Sequence, residues 1–165
     1  MVHSPSQIVL WLFVINLGIS FGAGLYEARI TIPQWLTFSP GSGHRWNGAA
    51  AAEANVGLRF WTYVTTVPLT LLTLASLACA WVAPSPLRAW WLVAALVALV
   101  DRGLTFGYFI PTMIRLMRGD IQPEPAAVAK AVQWVRMGPV RHAATLIAWL
   151  AALEAFALFH QAVSI

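Results

Sequence analysis

Charged side chains are scarce in this sequence. Asp, Glu, Lys and Arg make up only 10% of its 165 residues, whereas a soluble domain has about a quarter. A surface with so few charges does not suit a soluble protein, and 59% of the residues are hydrophobic. The 10 basic residues outnumber the 6 acidic ones, but they are scattered and flank apolar runs. They therefore indicate the topology of a membrane protein, and no nucleic-acid partner is expected.

Cysteine is nearly absent, since Cys79 is the only one. A single cysteine excludes an intramolecular disulfide and the CxxC pair of a thiol redox enzyme. No basic residue precedes the first apolar run, so we expect no cleavable signal peptide. Nucleotide-binding and zinc-protease signatures are missing, as is the ExxH motif of di-iron bundles. We therefore expect no cofactor and no bound metal, although a metal site where His44, His142, Glu27 and Glu53 meet stays open.

What the sequence does have is long apolar runs. A membrane-spanning helix needs about 20 residues, and four runs are long enough. The predicted spans cover residues 7–30, 57–82, 87–118 and 140–160. The fold class is therefore all-α, and the chain is predicted to be one integral membrane four-helix bundle over its whole length. Its partners are the lipid bilayer and a lipophilic small molecule, and a homo-oligomer stays open.

Two connecting segments have a composition of their own. The first loop, residues 31–52, carries prolines, glycines, Trp35 and Trp46, which predicts an ordered cap rather than a flexible linker. Residues 125–137 alternate apolar and basic positions at helical spacing, which predicts a short interfacial helix before the fourth span. Gly138-Pro139 is expected to separate the two.

The basic residues also predict the orientation of the bundle. Most of them flank the first and third loops, and Arg88 lies alone at the opposite end. Loops rich in Lys and Arg stay in the cytoplasm. The chain is therefore predicted to be a multi-pass protein of the cell (inner) membrane, with the first and third loops cytoplasmic and both termini outside.

Asp101 and Arg102 lie in the middle of the third apolar run. A charge at the centre of a lipid-facing helix costs roughly 2.5–3.5 kcal/mol, so both side chains should face the interior of the bundle. Successive residues of a helix point about 100° apart. We therefore expect Asp101 in a pocket and Arg102 in a charge network with Glu154. A purely structural network of the three residues is the alternative.

Polar residues form a stripe on each of the first three spans. Residues three or four apart share one face of a helix, and the stripes are Asn16, Ser20, Ala23 and Glu27; Arg59, Tyr63, Thr66, Thr70 and Thr73; and Asp101, Thr105, Tyr108, Thr112 and Arg115. Lipid would penalise these stripes, so they are predicted to converge on a polar pocket at the cytoplasmic side. The fourth span adds Arg141, His142 and Thr145. A simple Glu27–Arg59 salt bridge is the alternative at the mouth.

The segments FGYFIPTMIRLMRGD and QWVRMGPVRHAATLIAWLAALEA resemble the C-terminal half of a family of small four-helix membrane proteins. This family was long catalogued as a domain of unknown function and includes the fungal anthrone oxygenases. The matching residues are Tyr108, Pro111, Arg115, Trp134 and Arg141, and GISFGAG in the first span resembles the family's Gly-rich opening segment.

The resemblance implies a cofactor-independent oxygenase that acts on a lipophilic aromatic, anthrone- or quinone-like substrate. A buried Glu27, Asp101 or His142 would be the base. Arg59, Arg102 or Arg141 would stabilise the enolate-like oxygen, with Tyr108 orienting the substrate. The substrate-contacting residues would be Tyr63, Tyr108, Trp35, Trp46 and Trp134. The alternative is a non-catalytic membrane subunit or small-ligand binder whose intramembrane charges are structural. A minimal transporter would need an oligomer, because no inverted repeat is visible.

Overall fold

The computed structural model describes residues 4–163, with side-chain detail for residues 4–159. This part of the chain is almost entirely helical, as predicted. Four of its helices are long and apolar enough to cross a membrane, which indicates a multi-pass membrane protein. These helices are α1 (Pro5–Trp35), α3 (Gly57–Val82), α4 (Leu87–Arg118) and α5 (Glu124–Val163), and a short helix, α2 (Gly48–Ala54), lies between the first two.

A β-hairpin occupies the first loop. Strands β1 (Leu36–Ser39) and β2 (Gly43–Trp46) pair antiparallel. Helix α2 follows and packs closely on α4. The packing is so close that a Cβ atom added at Gly48 would lie only 3.0 Å from the carbonyl oxygen of Leu116. The long first loop is therefore an ordered unit tied to the bundle. We call the part of the bundle nearer to it (residues 20–35, 57–66, 102–118 and 124–145) the hairpin half, and the remainder the turn half.

The turn half is closely packed. Small side chains line the seam between α4 and α5, and Ala94, Ala98, Ala148 and Ala152 are all fully or almost fully buried. Small residues let helix backbones approach closely, which is how helices pack where lipid removes the hydrophobic driving force between them. A second cluster around Trp91 closes the bundle near the turn at residues 83–86.

Three long helices change to π-helical geometry in the hairpin half. The π segments are Glu27–Thr31 in α1, Gly57–Thr66 in α3 and Thr105–Phe109 in α4. In each helix a proline stands two residues after the segment: these are Pro33, Pro68 and Pro111. Proline has no N–H and crowds the carbonyl four residues before it, so the preceding turns widen. The carbonyl opposite Pro68 is that of Val64, and Asn16 Nδ2 of α1 donates to it at 2.9 Å.

Helix α5 corrects one prediction. The interfacial helix expected at residues 125–137 is not separate, because α5 runs unbroken from Glu124 and contains Pro139. A proline inside a helix removes one backbone hydrogen bond. The helix continues here because buried residues anchor it on both sides, with Ala131 and Trp134 before the proline and Thr145 after it.

An apolar belt covers the outside of the bundle. Large hydrophobic side chains are exposed on the outer faces of all four long helices, far more than a soluble surface carries. They include Ile8, Trp11, Leu12, Ile15, Leu71, Leu74, Trp81, Val93, Leu96, Val100, Ile147 and Leu150. The belt suits contact with lipid.

Candidate functional site

The hairpin half encloses a cavity of about 340 Å³ between α3 and α4. Its volume lies in the usual range of ligand pockets, about 300–1,000 Å³. Most of its wall is apolar, with Met113, Ile114 and Met117 on one side and Leu58 on the other. The wall also includes polar and charged groups from all four long helices, among them Glu27, Arg102, Thr105 and Arg141. We call this space the main cavity.

Glu27 begins the π segment of α1 and is half-buried. Its Oε1 accepts a hydrogen bond of 2.8 Å from Nε1 of Trp61, on the π segment of α3. Arg141 of α5 lies close enough to interact electrostatically with this carboxylate. The carboxylate is thus held by an indole N–H and faces a cation across the wall of the main cavity.

Arg141 lies between two aromatic rings. Its guanidinium carbon is 5.3 Å from the ring centroid of Trp61 and 5.1 Å from that of Phe109, which is within cation–π range. The Trp134 indole packs on Phe109 and donates to the Phe109 carbonyl at 3.1 Å. A cation is therefore positioned by aromatic faces rather than by a direct salt bridge.

Asp101 and Arg102 are both buried and form an ion pair with each other through Oδ2 and Nη2. Arg102 lines the main cavity, whereas Asp101 supports it from behind. The prediction that Asp101 faces the pocket and Arg102 pairs with Glu154 is therefore wrong. Glu154 is exposed. The next residue, Ala155, packs in the cluster of the turn half that includes Leu87, so Glu154 lies near the far end of the bundle.

A second cavity of about 150 Å³ lies behind the first. Glu27, Phe109, Trp134 and Arg141 line both and form the partition between them. His142 lines only this smaller cavity and packs against Gly24, where a side chain would come within 2.9 Å of His142 Nε2. His142 is thus adjacent to Glu27 but is separated from the main cavity.

The predicted polar face of α3 is confirmed only in part, because Thr66 lines the main cavity and Thr73 is buried, whereas Arg59 and Tyr63 point outward. Tyr63 is 72% exposed and Arg59 is also exposed, so neither lines the cavity, and Arg59 forms no salt bridge with Glu27. The predicted stripe assumed 3.6 residues per turn. The π segment closes its hydrogen bonds over five residues, and this wider turn directs Trp61 and Thr65 inward instead.

The other predicted aromatic contacts lie outside both cavities. Trp35 is buried, and Trp46 donates from Nε1 to the Leu116 carbonyl at 3.3 Å, which ties the hairpin to α4. Tyr108 packs beside Phe109 and under the ammonium group of Lys130, 5.2 Å from its ring centroid. Of the five predicted substrate contacts, Trp134 alone lines either of the two cavities described above.

Sequence reasoning missed Trp61, Phe109 and the methionines of the cavity wall. The spacing of Pro33, Pro68 and Pro111 was the available signal, because each proline marks a helix whose preceding turns depart from α-helical phase. Apolar wall residues such as Met113 carry no signal in the sequence that separates them from residues that face lipid.

The metal site that the sequence left open does not form among the described residues. No three His, Cys, Asp or Glu side chains are grouped there so as to hold a metal ion. His44 packs on Phe38 of the hairpin, with ring centroids 5.0 Å apart, and Glu53 is exposed on α2.

Comparison of this chain with models of protein families, with curated proteins and with solved structures found no match. The site is a lipophilic cavity lined by one carboxylate and three guanidinium groups, in a helical protein whose outside is apolar.

Proposed function

We propose that this protein is a small multi-pass enzyme of the cell (inner) membrane that oxygenates a lipophilic aromatic, anthrone-like substrate without a cofactor. One observation carries the proposal. Glu27, Arg102 and Arg141, on three different helices, line one cavity whose remaining wall is mostly apolar and aromatic. Such a cavity suits an apolar ring system with an ionisable oxygen or an acidic C–H bond. The resemblance to the anthrone oxygenases supports the same chemistry.

In this mechanism Glu27 removes a proton from the methylene carbon of the substrate, and a guanidinium group of the cavity, Arg102 or Arg141, stabilises the negative charge on the enolate-like oxygen. The carbanion passes one electron to dioxygen, and the resulting radical pair combines to form a C–O bond. The peroxide anion takes the proton back from Glu27. Loss of the second proton from the same carbon breaks the O–O bond and releases water. Overall a CH₂ group and O₂ become a carbonyl group and H₂O.

The orientation of the protein belongs to the same proposal. Arg29, Arg45, Arg59, Arg115 and Arg118 are exposed at the hairpin end, and Arg88 lies near the opposite end. Because positively charged loops stay in the cytoplasm, the hairpin and the main cavity lie on the cytoplasmic side. An apolar substrate that partitions into the bilayer then reaches the gap between α3 and α4 from the side.

Oxygen uptake by the purified, chelator-treated protein with anthrone tests the proposal. We expect uptake of one O₂ for each anthraquinone formed, and the same rate with and without chelator. No uptake, or uptake that returns only on addition of iron or copper, would contradict a cofactor-free oxygenase.

A second candidate is a non-catalytic protein that binds a lipophilic ligand. The Asp101–Arg102 pair favours it, because a buried pair of neighbouring charges also serves packing alone. Saturable binding of anthrone without oxygen uptake would support this candidate. The two functions are thus separated by one pair of measurements on the same sample.

A further inference from the structure

The threonines of the bundle differ in what their hydroxyl groups contact. Thr65, Thr70, Thr73 and Thr145 each donate to the backbone carbonyl four residues earlier, at distances between 2.6 and 3.3 Å. This is the usual way in which a membrane helix satisfies a threonine. Thr105 departs from the pattern, because its Oγ1 is buried and has no hydrogen-bond partner among the described residues. Thr105 is also 95% buried as a residue and lines the main cavity.

A second polar group without a partner belongs to Arg102. Its Nη2 donates to Asp101, but its Nε is buried and has no partner among the described residues. An unpaired buried N–H costs free energy comparable to a lost hydrogen bond. Arg102 and Thr105 lie on successive turns of α4, and both line the main cavity.

Phe109 shows where these two groups lie within the cavity, because it belongs, with Glu27, to the partition between the two cavities. Arg102 and Thr105 precede Phe109 by about 6 to 10 Å along the axis of α4. They therefore lie on the other side of Phe109 along α4 from the wall residues Met113 and Met117. We call Arg102 and Thr105 the floor of the main cavity.

We propose that the floor is a binding subsite for one oxygen atom of the ligand. An N–H donor and a hydroxyl that both lack partners together suit an acceptor oxygen, such as an aromatic ketone, phenol or phenolate oxygen. The ligand then enters with this oxygen first, and its opposite side faces Glu27. This inference rests on the proposed binding of an aromatic ligand in the main cavity. It adds that an oxygen atom of the ligand enters first and that Arg102 and Thr105 bind this oxygen.

Two aromatic probes of similar shape test the subsite on the purified full chain in detergent. 2-Naphthol carries an oxygen where 2-methylnaphthalene carries a methyl group. We expect the wild-type protein to bind 2-naphthol about tenfold more tightly, which is the net effect of two ordinary hydrogen bonds. Thr105→Val removes the hydroxyl, and Arg102→Lys removes Nε while it keeps the charge beside Asp101. Each change should reduce the preference to about threefold, and the double variant should abolish it without weakening 2-methylnaphthalene.

Thr73→Val is the matched control. It also removes a buried threonine hydroxyl, but this one is bonded to the Leu69 carbonyl and lies outside the main cavity. The ratio of the two probe affinities should equal that of the wild type. A preference that survives in the double variant, or one that Thr73→Val removes equally, would overturn the floor as the oxygen subsite.

A measurement on the wild type alone covers the case in which the variants do not fold. The carbonyl stretch of 2-acetonaphthone should move to lower frequency on binding, because a guanidinium N–H and a hydroxyl donate to the oxygen. An unchanged stretch in a bound probe overturns the inference. Oxygen uptake with anthrone but no preference for 2-naphthol overturns the subsite and leaves the oxygenase. Preference for 2-naphthol without uptake supports the subsite and overturns the oxygenase.

Discussion

The two halves of this bundle are built from the same four helices but differ in how those helices pack. In the turn half, α3 and α4 lie side by side and buried alanines fill the seam between α4 and α5. In the hairpin half, three helices widen into π segments before prolines, and a cavity separates α3 from α4. The two apolar core clusters described both lie in the turn half.

This difference indicates a division of labour between the halves. The alanine seam supplies the packing that holds four helices together. The hairpin half lacks such packing, and its cavity is lined instead by a carboxylate, guanidinium groups, aromatic rings and apolar side chains. π-Helical turns interrupt regular packing and are frequent at functional sites. Here three of them surround or adjoin one cavity.

The proposed division between a functional hairpin half and a packed turn half is tested most strongly at Glu27. Glu27→Gln removes the proposed base but keeps an acceptor for the Trp61 N–H. Oxygen uptake with anthrone should fall by about 10²- to 10⁴-fold, the usual contribution of a general base. Thermal unfolding should change little. Glu154→Gln, on the exposed face of the turn half, is the control and should retain the wild-type rate. Equal rates in the two variants would remove Glu27 from the mechanism.

Overfilling the alanine seam should have the next largest effect. Ala148→Leu places a larger side chain at a fully buried position of the turn half. Overpacking usually costs about 1–3 kcal/mol, and we expect that loss in the free energy of unfolding in detergent. Ala143→Leu on the same helix is exposed and should cost little. If the two variants unfold alike, the turn half is not the packed half.

The hydrogen bond from Asn16 to Val64 links the two halves. Asn16→Leu leaves the Val64 carbonyl without this donor, and we expect a loss of about 1–3 kcal/mol in the free energy of unfolding. Pro68→Ala restores an N–H that can reach the same carbonyl in α-helical geometry. The Asn16→Leu change should therefore cost less in the Pro68→Ala background, as a double-mutant cycle would measure. Equal costs in both backgrounds would show that the proline does not create the need for Asn16.

The smallest effects are expected where the sequence predicted site residues and the structure turns them outward. Arg59→Gln and Tyr63→Phe should leave oxygen uptake unchanged and alter the free energy of unfolding by less than about 0.5 kcal/mol. A large loss of uptake in either variant would mean that α3 presents another face to the substrate.

The sequence predicted which residues face the interior wherever the helices keep α-helical phase. Composition and run length predicted four helices suited to a membrane, and the spacing in α1 correctly turned Asn16, Ser20 and Glu27 away from the apolar exterior. Phase errors begin at the π segments. In α3 the wider turn directs Arg59 and Tyr63 outward and residues such as Trp61 toward the main cavity.

The choice between neighbouring charges also could not be predicted. Asp101 and Arg102 point apart on an ideal helix, and α4 alone does not determine which of the two faces a cavity. Their roles depend on where α3 and α5 lie, and the side chain of Arg102 is long enough both to reach the cavity wall and to pair with Asp101.

The proposed function requires that the main cavity of the hairpin half hold a lipophilic aromatic ligand. Photolabelling of the purified protein with benzophenone, followed by peptide mapping, identifies the residues that contact such a ligand. We predict labels at Met113, Met117 and nearby wall residues such as Trp61, and their loss when excess anthrone is present. Labels spread over the outer apolar belt or the turn half, unchanged by anthrone, would show that the main cavity is not the binding site.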